Sequence, residues 1–198
     1  MENMQPGAVF LCLERGNSGM DMEKLWESCV AFHGHRCGGL AIGFAAARYA
    51  GQLLGMGFSP DEQVVCVAEN DACGVDAIQV VLGCSAGKGN LLFRRRGKQV
   101  FTFFCRETGK GVRLALKPLP PMEKEEKIAY LRNAPLESLF DLREPDFPMP
   151  ERARLFSSAP CARCGEMTAE PWLRVKNGEI LCLDCYEKGC GGEKEAKK

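Results

Sequence analysis

Two histidines and a cysteine stand close together in the segment FHGHRCGGLAIGF, which runs from Phe32 to Phe44. They are His33, His35 and Cys37, and the chain of 198 residues has no other histidine. Imidazole nitrogens and thiolates are ligands that zinc and other transition metals favour. The pattern therefore predicts a metal site. Because ligands from one short segment rarely fill a coordination sphere, further ligands are expected from elsewhere in the chain.

The spacing of these residues sets the backbone that such a site needs. Residues i and i+2 lie on nearly opposite sides of a helix but on the same side of an extended segment. His33 and His35 can therefore share a metal ion only if Gly34 lies in an extended turn. The glycines after Cys37 allow a helix to begin, which places Cys37 near a helix N-terminus, where the dipole lowers a thiol pKa. The alternative is that the histidines cap and hydrogen-bond the junction of two helices.

A second set of ligands stands near the end of the chain. Cys161 and Cys164 form one CxxC pair, and Cys182 and Cys185 form another at the spacing of four-cysteine zinc sites. Between the pairs, PWLRVKNGEILC predicts a hairpin that turns at Asn177–Gly178. Four thiolates leave no open coordination position, so the zinc is expected to be structural. A redox CxxC or an iron–sulfur site is the alternative, and two tandem pairs closing a small unit favour zinc.

The segment ENDACGVDAIQVVLGCSAGKGNL, from Glu69 to Leu91, carries further reactive side chains. Cys73 follows a predicted strand and precedes a helix, and Cys84 follows that helix, in loops where the ligand crevices of α/β sheets form. GCSAGKGN differs from a phosphate loop because its spacing is one residue short and it leads from a helix into a strand. Lys88 is predicted as an anion or cofactor contact, and Asp76 as an acid, a ligand or a helix cap.

The charge balance excludes some classes of partner. The chain has 26 basic and 26 acidic residues, so its composition gives no reason to expect nucleic acid or membrane binding. The apolar run LAIGFAAA is much shorter than the about 20 residues that span a bilayer. The early run AVFLCL has no basic residues before it and no clear cleavage site after it, which argues against a signal peptide. A cytoplasmic protein is expected.

The 12 cysteines are interpreted as reduced thiols and metal ligands rather than as a disulfide framework. Several stand in apolar runs and are predicted to be buried small hydrophobic residues. These are Cys12, Cys29, Cys66 and Cys105. Cys190 lies beyond the paired cysteines and is predicted to be free.

Apolar periodicity predicts mixed secondary structure. The predicted helices are Met22–Phe32, Gly39–Gly55, Gly74–Gly83, Met122–Ala134 and Pro135–Leu142. A strand is predicted at Gln63–Ala68, and a hairpin at Lys98–Leu119. The predicted organisation is an α+β domain over residues 1–142, a Pro-rich linker over 143–160, a four-cysteine zinc finger over 161–190 and a disordered tail over 191–198.

The two motifs FHGHRCGGLAIGFAAARYA and ENDACGVDAIQVVLGCSAGKGNLLFRRRGKQVFTF resemble the formylmethanofuran dehydrogenase E-subunit family. The resemblance covers most of residues 20–115. It implies an α+β domain with a mixed five-stranded sheet flanked by helices, to which some members add a C-terminal treble-clef zinc finger. It also implies a metal site that includes Cys84, with Cys73 nearby, besides His33, His35 and Cys37. The family usually has Pro after its HGHxC motif, where this chain has Gly38.

The resemblance implies a cytoplasmic, metal-binding accessory protein. Formylmethanofuran dehydrogenase is a molybdenum or tungsten enzyme that interconverts carbon dioxide and a formamide on a C1 carrier. Nothing in this chain resembles its molybdopterin-binding subunit. The leading hypothesis is therefore a protein associated with such an oxidoreductase in methanogenesis or related anaerobic C1 metabolism.

Two other hypotheses stay open. The chain could be a metalloenzyme in its own right, with a second zinc or other transition metal in the N-terminal domain, Cys37 or Cys73 as nucleophile and Asp76 as acid or base. It could also be an interaction module that uses its finger. Residues 161–198 carry 7 basic and 7 acidic side chains, which argues against a phosphate-binding surface and favours protein contacts, with a homodimer expected.

Overall fold

The structure is a computed structural model that describes residues 22–188. It divides the chain into two compact units, Met1–Ala153 and Arg154–Lys198. The division falls inside residues 143–160, the segment predicted as a linker. The predictions for Cys12, Cys190 and the tail 191–198 lie outside the described residues.

The first unit contains five helices and five strands among the described residues. The helices are α1 (Met22–His33), α2 (Gly38–Leu54), α3 (Gly74–Leu82), α4 (Lys124–Asn133) and α5 (Leu136–Leu139). The strands are β1 (Val64–Ala68), β2 (Leu91–Phe93), β3 (Val100–Cys105), β4 (Gly111–Leu116) and β5 (Phe140–Arg143). They form one sheet in the order β2-β1-β3-β4-β5. Strand β2 runs parallel to β1, and the other neighbours are antiparallel, so the sheet is mixed as predicted.

The two faces of this sheet are covered differently. Side chains alternate along a strand, so Cys66 of β1 and Phe103 of β3 join the main core with the helices. Val67 and Phe104 point to the opposite face, where Phe147 and Met149 pack against them. The Phe104 and Phe147 rings lie 5.7 Å apart. Residues just after β5 therefore belong to the packed structure of the first unit.

Helices α2 and α3 pack closely because two glycines face each other. A Cβ at Gly43 would lie 1.9 Å from the carbonyl oxygen of Gly74, so a side chain at that position would force the backbones apart. The remaining contact face of α2 is rich in alanine, and Ala46, Ala47 and Ala50 are fully buried. This contact brings the N-terminal end of α3 to that of α2.

The predicted boundaries agree with these elements to within a few residues, with one exception. Residues 135–142 were predicted as one helix, but only Leu136–Leu139 is helical, and the sheet's fifth strand begins at Phe140. Leu142 of this strand pairs with Leu114 of β4. The helix prediction for this part was wrong because four residues with apolar ends fit one helical turn as well as a strand.

The second unit is built from small elements around a cluster of cysteines. It contains strands β6 (Ser158–Pro160), β7 (Met167–Ala169), β8 (Leu173–Lys176) and β9 (Glu179–Cys182), a 3₁₀ turn at Glu170–Trp172 and helix α6 (Leu183–Glu187). Strands β8 and β9 form the predicted hairpin. Its turn residues Asn177 and Gly178 have φ of 53° and 81°, the left-handed values of a tight hairpin turn.

Candidate metal centres

The first candidate centre, called here the N-terminal centre, consists of His33, His35 and Cys37. One ligand atom from each residue lies within 4.8 Å of the others. The two imidazole rings have centroids 4.5 Å apart. The structure thus brings together all three residues of the HGHRC segment. Two nitrogens and one sulfur at this separation fit the donor set of zinc, and three protein ligands leave a coordination position open.

The ends of two helices position these three ligands. His33 is the last residue of α1, and Cys37 immediately precedes α2. Gly34 between them has φ of 92°, so the chain turns through a left-handed residue rather than through the extended segment that the spacing suggested. The Cys37 side chain accepts a hydrogen bond from the backbone N–H of Leu40 at 3.3 Å, which caps α2. The prediction of Cys37 at a helix N-terminus is confirmed.

His33 is held by a carboxylate from a distant part of the sequence. Its Nδ1 lies 2.7 Å from Oδ2 of Asp76, in the first turn of α3. The other oxygen of Asp76 accepts a hydrogen bond from Nε2 of Gln79 at 3.2 Å. On the opposite side of the ring, His33 Nε2 lies 3.6 Å from the Cys37 sulfur. Asp76 therefore belongs to the centre as a neighbour of His33.

Cys73 also belongs to this region, immediately before α3. A Cβ at Gly39 would lie 3.5 Å from the Cys73 sulfur and 3.9 Å from the Cys37 sulfur, so both thiols border the same glycine. Burial raises the pKa of Cys73, and hydrogen bonding with the Cys37 side chain raises this pKa further. Cys73 is thus a protonated thiol beside the centre when no metal is present.

Cys84 does not join the N-terminal centre, which corrects the ligand set that the resemblance implied. Asp76 and Cys73 mark the end of α3 near the histidines, and Cys84 follows the other end of this nine-residue helix. At 1.5 Å per residue, the helix separates the two ends by about 14 Å. The Cys84 sulfur is buried and donates to the carbonyl oxygen of Val64 at 3.7 Å. Burial raises its pKa to about 12.

Lys88 has contacts with the protein's own loops. Its Nζ donates to the carbonyl oxygens of Ser59 at 2.8 Å and Pro60 at 3.5 Å, and it lies over the Phe58 ring. These bonds tie the loop after α3 to the loop before β1. A cofactor contact by Lys88 stays a prediction.

The second candidate centre, called here the finger centre, consists of Cys161, Cys164, Cys182 and Cys185. Their sulfurs all lie within 4.8 Å of one another. Cys161 and Cys164 lie in the turn between β6 and β7, Cys182 ends β9, and Cys185 lies in α6. This order of knuckle, hairpin and helix is the one predicted, and the cluster fits a zinc site with no open position.

The thiols of the finger centre differ in acidity in the absence of metal. Hydrogen bonds with the backbones of Cys164 and Cys182 lower the pKa of Cys161 to about 6. Desolvation raises the pKa of Cys185 to about 12, with hydrogen bonds to the neighbouring cysteine side chains adding to it. A bound zinc ion must displace the protons of the less acidic thiols, so metal uptake releases protons.

Sequence reasoning missed the partners that hold the N-terminal centre in place. Gln79 and Gly43 carry no motif, and their roles follow only from the packing of α3 against α2. Three other cysteines behave as predicted, since Cys29, Cys66 and Cys105 are buried. All ten cysteines of the described residues are free thiols. None of the described helices has the length and apolar character needed to cross a membrane.

Comparison with known proteins agrees with both units. Residues 32–143 match the FmdE family, described as that of the molybdenum formylmethanofuran dehydrogenase operon. The chain belongs to this family. Residues 154–188 match the prokaryotic dksA/traR C4-type zinc finger. The family match includes the N-terminal centre, and the zinc-finger match includes the finger centre.

Two relatives extend this FmdE assignment. A crystal structure of a tungsten formylmethanofuran dehydrogenase FmdE-like protein from Syntrophus aciditrophicus superposes with a TM-score of 0.65 and 23% identity, over 88% of this chain and 97% of the other. At this identity the likeness shows the fold. A probable S-adenosyl-L-methionine-binding protein from Archaeoglobus fulgidus is 26% identical over 87% of this chain. The chain spans 55% of that relative, about half its length.

Proposed function

We propose that this FmdE-family protein carries an exchangeable zinc or other transition metal at the N-terminal centre and a structural zinc in its finger. On this proposal it is a cytoplasmic homodimer that serves as an accessory subunit to a redox enzyme of anaerobic C1 metabolism. The observation that carries the metal assignment is the approach of one ligand atom each from His33, His35 and Cys37 to within 4.8 Å.

The residues around the N-terminal centre suit a metal that exchanges ligands. The three ligands leave room for a fourth, and a bound metal would supply Lewis acidity there. His35 is exposed, so solvent and small molecules reach the centre from that side. Leu40 and Asp76 hold Cys37 and His33 through hydrogen bonds at fixed helix ends. The protein's part is thus to orient the ligands and leave one side accessible.

The association with a redox enzyme is supported by likeness alone. The matching family is described by the molybdenum formylmethanofuran dehydrogenase operon, and the S. aciditrophicus protein is named after the tungsten enzyme. The free cysteines of the described residues agree with a reducing compartment.

Metal content tests the first part of the proposal. Protein purified without oxygen is expected to hold two metal ions per chain. A His33→Ala/Cys37→Ala variant is expected to hold one, and a Cys161→Ala variant is expected to lose the other. A single ion in the wild-type protein that only Cys161→Ala removes would contradict the N-terminal assignment.

Affinity capture from the native host tests the second part. The full chain, tagged at its own locus and captured under anaerobic conditions, is expected to retain subunits that contain molybdopterin. Capture of no redox enzyme from cells in which that enzyme is abundant would count against an accessory role. Light scattering of the purified protein separately tests the homodimer, which a monomer mass would exclude.

A second candidate function is a metalloenzyme that uses Cys73 as its nucleophile. It is favoured by the position of the Cys73 sulfur, which borders Gly39 together with Cys37. Asp76 already contacts His33 and Gln79, so it suits this scheme less well as a free acid. Iodoacetamide is expected to alkylate Cys73 in the native protein before the buried Cys29 and Cys66. Failure to label Cys73 under conditions that label the exposed Cys164 would eliminate this candidate.

A further inference from the structure

We propose that Asp76 is a positioning residue of the N-terminal centre. Its carboxylate holds the His33 imidazole with the proton on Nδ1, so that Nε2 is the nitrogen presented to a metal, and its negative charge balances that metal. The part that concerns the metal rests on the proposed function of this centre. The part that concerns the imidazole holds for the metal-free protein.

The geometry around His33 distinguishes its two ring nitrogens. Nδ1 lies 2.7 Å from Oδ2 of Asp76, and Nε2 lies 3.6 Å from the Cys37 sulfur. An ionised carboxylate can only accept hydrogen bonds, so it favours the tautomer in which Nδ1 is protonated. In that tautomer the lone pair of Nε2 points toward Cys37. A carboxylate that contacts the distal nitrogen of a ligating histidine is a common device for fixing ring orientation and raising ligand basicity.

The carboxylate is itself held in one orientation. Asp76 lies in the first turn of α3, and its Oδ1 accepts from Gln79, three residues further along the helix. The contact between Gly43 and Gly74 brings this end of α3 to the start of α2. Because both oxygens of Asp76 have a partner, rotation of its side chain would break two bonds.

The charges at the centre give Asp76 a second role. A divalent ion bound by one thiolate and two neutral imidazoles leaves one net positive charge, which a nearby carboxylate neutralises. The His33 side chain is 11% exposed, so this charge would be poorly solvated. Asp71, the neighbouring acid in the loop before α3, instead pairs with Arg95 at 2.7 Å. Among the described residues, Asp76 is the acid that contacts a ligand of the N-terminal centre.

Nitrogen NMR of the metal-free chain tests the imidazole directly. The protein has two histidines, and a His35→Gln variant leaves the signals of His33 alone. Wild-type His33 is expected in the tautomer with Nδ1 protonated. Asp76→Asn is expected to keep this tautomer, because the amide oxygen can still accept from Nδ1, whereas Asp76→Ala is expected to lose it. An unchanged tautomer in Asp76→Ala, with circular dichroism unchanged, would overturn the inference.

Zinc affinity tests the role of the charge in protein whose finger is already loaded. Asp76→Ala is expected to weaken the second zinc by about 10- to 100-fold. Asp76→Asn is expected to fall between Asp76→Ala and wild type, because it keeps the orientation and loses the charge. Asp71→Asn is the matched control and should bind as wild type does.

The two readouts separate this inference from the proposed function. Absence of a second zinc in the wild-type protein, together with the expected tautomer change, would refute the metal assignment and leave the positioning of His33 intact. A second zinc that binds equally well in wild type and Asp76→Ala would refute the role of Asp76 and leave the metal assignment intact.

Discussion

The N-terminal centre and the finger centre use similar ligands in opposite ways. In the finger, four cysteines from a knuckle, a hairpin and a helix start close around one point, and the unit contains little else that is buried. In the N-terminal domain, three ligands lie between two helix ends, beside a core built without them. The finger therefore depends on its metal for its structure, whereas the N-terminal domain can fold first and bind metal afterwards.

The burial of the two units shows the same difference. The finger core consists of Leu181 with two of the ligands, Cys161 and Cys182, whereas Trp172 and Val175 stay exposed. The N-terminal core includes large buried side chains such as Trp26 and Phe103. Small domains with so little apolar burial need a metal or a disulfide to fold. The comparison leads to four predictions, ordered by the expected size of the effect.

Removal of one finger ligand is expected to unfold that unit. Cys161→Ala should abolish its zinc site, and structural zinc contributes on the order of 10 kcal/mol to folding in small finger peptides. Limited trypsin digestion should then cut after Arg163 and Arg174 while the N-terminal domain stays intact. His33→Ala is the comparison variant, and its finger should resist trypsin as the wild type does. A protease-resistant finger in Cys161→Ala would contradict a metal-dependent fold.

Gly43→Ala is expected to destabilise the scaffold of the N-terminal centre. Its Cβ would lie 1.9 Å from the Gly74 carbonyl oxygen, so α2 and α3 must separate. Overpacking of a tight core contact costs about 3 kcal/mol or less in most cases, and a contact with backbone lies at the upper end. Denaturant unfolding measures the loss. Gly87→Ala is the control, since a Cβ there meets no atom within 4 Å.

Cys84 is expected to reduce stability at alkaline pH. Its pKa is raised from 9.0 to about 12 in the folded state, so above pH 9.0 the unfolded chain loses a proton that the folded chain keeps. Rising pH therefore favours unfolding until about pH 12, by up to about 1.4 kcal/mol per pH unit. Cys84→Ala should make the pH dependence of the unfolding free energy shallower in this range. An identical slope in Cys84→Ala and wild type would refute this origin of the effect.

His33→Ala is expected to change the stability of the metal-free protein least. His33 lies at the end of α1 and its main contact is the bond to Asp76, so the loss should be about 1 kcal/mol. Thermal unfolding without metal measures it. Addition of zinc should raise the melting temperature of wild type more than that of His33→Ala. Equal shifts would mean that the N-terminal centre adds nothing to zinc binding.

Local features of both centres could be predicted from the sequence. The spacing of Cys161, Cys164, Cys182 and Cys185 predicts the finger centre, because metal geometry leaves few alternatives at that spacing. Asn177–Gly178 predicts its hairpin for the same kind of local reason. Cys37 at the start of α2 also follows from neighbouring residues.

Long-range features could not be predicted in this way. The bond between His33 and Asp76 joins residues 43 positions apart and exists because α3 packs against α2. The position of Cys84 depends on the direction of α3, which no residue near Cys84 reports. A family resemblance implied that Cys84 lies at the centre, and the length of one helix separates it from the histidines. The predictions therefore held where a ligand set is local and were wrong where it depends on packing.

The difference between an open and a closed centre is tested most directly by cobalt substitution. Cobalt absorption bands should change when imidazole is added to the Cys161→Ala variant, whose N-terminal centre has an open position. They should not change in the His33→Ala variant, whose cobalt is held by four thiolates. Bands that ignore imidazole in Cys161→Ala, or the absence of bound cobalt in that variant, would contradict an open metal centre in the N-terminal domain.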